Sequence, residues 1–150
     1  MRANARTLSV VRSQVRFEIA SLAVRVAEAA RLVEQESIRT GALSERCDRL
    51  AHELQHLPGR SLCSPAELDL LHRLHHLERR SLERQKESLL QARQSEGERR
   101  AELMTVRYRD RALERAMDAE RRSRQADLQR ATLAELDELW MHRSEEGVST

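Results

Sequence analysis

The chain has 150 residues, of which 35% are charged and only 2% aromatic, and its formal net charge is +2. That length allows one domain, and that composition excludes a broad globular core while suiting a long helix or coiled coil, whose apolar seam is narrow. A charge so close to balance gives no strong field for nucleic acid or an anionic membrane. All of the 27 basic residues except Lys86 are arginine, which reads as coding bias more than chemistry.

The first residues, MRANARTLSVVRSQVRF, hold four arginines and no acid before Glu18. An organellar transit peptide has that composition. The stronger reading is a helix, because one heptad repeat runs straight through the segment. Stepping alternately by four and three from Leu8 gives Arg12, Val15, Ile19, Leu22, Val26, Ala29, Val33, Glu36, Thr40, Leu43, Cys47, Leu50, Leu54 and Leu57. Only Arg12, Glu36 and Thr40 break the apolar run. A seam sustained this long predicts a coiled coil. Its weak middle is Glu36, Thr40 and nearby Gly41, where helix propensity also drops, and a bend or local looseness is expected there.

Pro58 and Pro65, the only prolines, bracket the next stretch. Pro58-Gly59 ends the first helix, since proline cannot continue it and glycine tolerates a left-handed cap. Ser64-Pro65-Ala66-Glu67 begins the second: Ser64 is the N-cap, Pro65 the first helical residue, and Glu67 completes a capping box. Cys63 and Leu68 take the staple positions around it. A tight reversal between two long helices is an αα-hairpin.

The second helix starts rich in leucine, at positions 68, 70, 71, 74, 77, 82, 89 and 90. Its middle is more polar, with a thin seam through Leu103, Val106, Leu113 and Met117. Charge pairs Glu96–Arg100, Asp118–Arg122 and Glu120–Arg124 support an exposed helix. Apolar character returns at Leu128, Leu133, Leu136, Leu139 and Trp140, and the tail from Ser144 to Thr150 is polar. The predicted fold is all-α: a single antiparallel coiled-coil hairpin over 1–150, with helix one over about 5–57, the turn over 58–64 and helix two over about 65–143. At 1.5 Å per residue the helices are about 75 and 118 Å long. Residue 8 then falls roughly level with residue 114, and about thirty residues of helix two overhang.

No constellation carries catalysis. Five of the six histidines, His52, His56, His72, His75 and His76, crowd the tip, and two pairs have the i,i+4 spacing of metal ligands. The register puts His52 at f and His56 at c, both outward, so no metal site is expected. The carboxylates are interleaved with arginine and have no cleft to desolvate them. No phosphate loop, nucleophile elbow or Cys–His arrangement is present, and no cofactor is expected. The Arg107-Arg109-Arg111 and Arg121-Arg122-Arg124 clusters have acids close by and lack stacking aromatics apart from Tyr108, so they read as solvated faces and not as a nucleic-acid site. Cys47 in the seam and Cys63 in the turn make no disulfide framework and fit a reduced compartment. No apolar run approaches a membrane span.

The two unequal helices, the turn after a first helix of this size, and several motifs in order along helix two point to one family. The motifs are Leu77-Glu78, the run Arg111-Ala112-Leu113-Glu114-Arg115, the step Glu120-Arg121, and the closing Asp137-Glu138 followed by Arg143. The chain resembles the FliJ/YscO group, coiled-coil stalk proteins of flagellar and type III secretion export machines, over most of its length. The resemblance implies a non-enzymatic, monomeric stalk at the cytoplasmic face of the bacterial inner membrane. One end would sit in the pore of the hexameric export ATPase and the other would reach the export gate membrane protein. Export chaperones are further partners.

Two stretches are candidate docking faces. In helix one Val10, Phe17 and Val24 fall at f, which should face water, and the next f position is Arg31. A second apolar stripe implies a further packing partner. The overhang carries Leu133, Leu136 and Trp140, and tryptophan is a favoured interface anchor. The resemblance places this end in the ATPase, ringed by Arg12, Arg16, Arg121, Arg122 and Arg124. At the tip, Leu54, Leu57, Leu62, Leu68, Leu71 and Leu74 exceed what a turn needs, and they serve to staple it. Leu62 and part of the face formed by Leu68, Leu71, Leu74 and Leu77 are expected to stay exposed, and the resemblance assigns these to the gate. The competing reading is a coiled-coil scaffold or tether that homodimerises through the overhang.

Overall fold

The computed structural model describes residues 5–57 and 64–147, with side chains over 6–57 and 64–143. Two helices make up the fold: α1, Ala5–His56, and α2, Pro65–Gly147. They pack as an antiparallel hairpin, and α2 overhangs. α2 runs four residues past the expected end at 143. Pro58, Gly59, Leu62 and Cys63 lie outside the described residues, and with them the C-cap and the Cys63–Leu68 staple. The start of α2 forms as its sequence dictates. Ser64 Oγ accepts a hydrogen bond from the Glu67 amide at 3.2 Å, and Glu67 Oε2 accepts one from the Ser64 amide at 3.1 Å. That reciprocal pair satisfies two backbone donors which otherwise have no partner in the first turn.

The chain divides into two compact units, Met1–Ile19 with Thr105–Thr150, and Ala20–Met104. In the second unit Glu36 bonds to Gln85 and Ser88 while Arg46 pairs with Glu78 at 3.6 Å, so contacts advance along α1 as they retreat along α2. The core is narrow: Leu22, Ala29, Cys47, Leu82, Ala92 and Leu103 are its buried hydrophobic residues. In the first unit Val106 is buried, and Arg12 reaches across to Asp110 and Glu114.

Every seam position named on α1, from Leu8 to Leu57, is buried or half-buried. The small residues Ala23, Ala30, Ser44 and Ala51, one position after four of the d residues, are half-buried too. Coverage on α2 follows the same alternation of three and four from Leu68 to Glu120. It passes through Leu82, Ala92, Leu103 and Val106, but also through His75, Glu78, Gln85, Arg99 and Asp110. Leu70, Leu74, Leu77 and Leu90 fall off this seam and are exposed. The leucine-rich start of α2 is therefore only partly core.

No break in the helix forms at Glu36–Gly41. α1 continues unbroken through it, because the polar residues find partners. Glu36 accepts hydrogen bonds from Arg39 at 2.8 Å, from Ser88 at 3.0 Å and from the Gln85 amide, and Thr40 Oγ donates to the Glu36 carbonyl at 2.7 Å. Gln85 foremost, then Ser88, hold the Glu36 carboxyl below its ordinary range, against the opposing effect of burial.

Gly41 and Gly97 lie inside helices with negative φ, and a Cβ added at either meets nothing within 4 Å. Each glycine therefore brings only the entropic cost of its backbone freedom. Gly41→Ala and Gly97→Ala should each stabilise the fold by about 0.8–1 kcal/mol. Thermal melts should show the double variant about 4–8 °C above the parent if the two effects add.

Candidate functional site

The candidate docking residues near the open end belong to the unit of residues 1–19 and 105–150, apart from Val24. Arg12 occupies an a position, so its side chain is directed at α2. Its Nε donates to Asp110 Oδ1 at 3.1 Å and its Nη2 to Glu114 Oε1 at 2.7 Å. These bonds, Asp110 first, hold the guanidinium still more firmly protonated than usual. Arg12 is thus an internal clasp, with two of its guanidinium donors taken up by Asp110 and Glu114 within the chain. Arg16 approaches Asp110 only at 3.9 Å and is largely exposed. On α2, Arg121 pairs with Asp118 at 3.7 Å, Arg124 pairs with Glu120 at 3.1 Å, and Arg122 Nε donates to the Asp118 carbonyl at 3.3 Å. All three are exposed, and pairs of this kind contribute little when solvated.

The apolar stripes face water. Phe17 is 79% exposed and Trp140 76%, so the two do not pack on one another. Val10 and Val24 are exposed as well, and so is Ile38, the f position after Arg31. The stripe therefore resumes beyond Arg31 instead of ending at Val24. A strict heptad count through Arg31 would have found it.

From Leu128 to Arg143 every side chain of α2 is exposed. Past Glu120 the half-buried residues are Ser123, Ala126 and Asp127, and coverage then ends. At 100° per residue, Leu133, Leu136, Leu139 and Trp140 sit about a third to a half of a turn from the line through Glu120, Ser123 and Asp127. Leu136, Leu139, Trp140, His142 and Arg143 line a shallow groove there. The apolar face of α2 has changed sides where α1 runs out. Phe17 points away from α2, and Trp140 lies on the side of α2 away from the α1 seam. By the alignment of Arg12 with Asp110, Phe17 lies roughly level with residue 105, and Trp140 falls roughly 50 Å further along α2, so the two faces are not one patch.

In the other unit, Leu68 and Leu71 are half-buried seam residues, so the exposed part of the Leu68–Leu77 face is Leu74 and Leu77. Leu74 and Leu77 are exposed and form, with Leu70, a stripe at spacings of four and three. His52 and His56 point outward as their register requires, with rings stacked 4.1 Å apart. Among the described residues no group of three or more His, Cys, Asp or Glu side chains could hold a metal ion. Burial first, then Glu78 and Asp48, push the Cys47 thiol above its ordinary pKa, which leaves little thiolate and a poorly reactive sulfur. No described helix is long and apolar enough to cross a membrane. No protein-family model, curated protein or solved structure matches the chain.

Proposed function

We propose that this chain is the non-enzymatic central stalk of a type III protein export machine. It would couple the hexameric export ATPase to the export gate membrane protein at the cytoplasmic face of the inner membrane, and handle export chaperones. The observation that carries this reading is the unequal helix pair. Residues 128–143 extend past the seam with every side chain exposed, and carry four leucines and a tryptophan. A leucine–tryptophan face of that size has a packing partner as its physical rationale. The motif order along α2 supplies the identity of the machine through its resemblance to the FliJ/YscO family.

The same exposed overhang supports a second reading, a scaffold that pairs with its own copy. Affinity capture of the tagged full-length chain from its native host, with sedimentation of the purified protein, separates the two. The stalk gives a monomer that brings down the export ATPase. The scaffold gives a stable dimer with no ATPase.

A further inference from the structure

Glu36 is the one buried charged residue among the described side chains, at 6% exposure. It sits at a d position in the middle of the α1 seam, where leucine or alanine fills the neighbouring d positions. Such a residue gives up apolar burial, and a carboxylate taken from water needs donors to remain charged. Arg39, one turn away, supplies a donor in any alignment, and the donors that depend on alignment come from 49 and 52 residues away along the chain, at Gln85 and Ser88.

A heptad seam is periodic, so sliding one helix past the other by seven residues puts a/d positions opposite a/d positions again. Serines stand at 81, 88 and 95, one heptad apart. A hydroxyl therefore awaits Glu36 in the native register and in both slipped ones. The residue in the place of Gln85 differs. One slip brings Glu78, a like charge, and the other brings Ala92, which has no side-chain donor. Gln85 alone provides an amide, and its Nε2 also lies 3.4 Å from the Glu36 carbonyl.

We infer that the Glu36–Gln85 clasp is a register lock: it selects one alignment of α1 on α2 from alignments that the apolar seam by itself leaves close in energy. A single polar seam residue that gives up stability for alignment is the best-attested role of such groups in coiled coils.

The test uses full-length protein in a Cys47→Ala, Cys63→Ser background. Spin labels go at positions 31 and 80, both solvent-exposed and both in the unit that holds the clasp. The reference should give one interlabel distance. Glu36→Leu should melt no lower than the reference yet show a second distance population, displaced by about 10 Å along the helix axis. Gln85→Ala removes the selecting donor from the other side, and should lower the melting temperature while producing the same second population. A single, unchanged distance in both variants overturns the lock. If Glu36→Leu does not fold, Gln85→Ala decides: two populations uphold the lock, and one overturns it.

Discussion

Leu22→Asp should lower stability by about 4 kcal/mol, while Val24→Asp, two residues away, should change it by less than about 0.5 kcal/mol. Leu22 is 7% exposed and at d, so the variant loses a buried side chain and places an unpaired carboxylate in the seam. Val24 at f is 58% exposed and has no core contact to lose. Helical circular dichroism at neutral pH should show the first variant melting about 10 °C or more below the parent and the second within experimental error of it. Equal melting of the two would mean that the heptad register of α1 does not define the core.

The α1 register was legible because the pattern is local and long. Fifteen successive a and d positions can absorb Arg12, Glu36 and Thr40 without losing phase, and the structure covers all of them. The cap at Ser64–Glu67 was legible for the same reason, since its donors and acceptors lie within four residues. The seam of α2 was not. His75, Glu78, Gln85, Glu96, Arg99, Asp110 and Glu120 all take covered positions, whereas Leu70, Leu74, Leu77 and Leu90 face water. Counting leucines therefore points to the wrong face, and a polar seam residue makes sense only beside its partner on the other helix. Glu36 is the clearest case. Alone it reads as a defect in the coil. Beside Gln85 and Ser88 it is the best-bonded carboxylate in the second unit. Arg12 follows the same rule with Asp110 and Glu114. The docking stripes themselves were legible as apolar residues at solvent positions. Which way the apolar face of the overhang turns relative to the seam was not, because it depends on which α2 residues α1 covers.

The spacing of the two faces sharpens what the open end should do. A deep pore can contact two faces set roughly 50 Å apart along its occupant, whereas a small flat partner contacts one. Under the stalk reading Phe17 and Trp140 are anchors to different parts of one encircling partner. Truncating a buried aromatic anchor typically weakens binding by 2 kcal/mol or more, about thirty-fold. Phe17→Ala and Trp140→Ala should therefore each weaken capture of the export ATPase by about that factor. With no shared contact, their effects should add in the double variant. Helicity and melting should not change, because neither side chain touches the core. The measurement is titration of labelled variants with the purified ATPase, with sedimentation of each alone. Additive losses in proteins that stay monomeric support an encircling partner. Full loss from Trp140→Ala with none from Phe17→Ala would leave one docking face, on the overhang. If the parent sediments as a dimer and Trp140→Ala alone makes it a monomer, the overhang pairs with its own copy and the chain is a scaffold.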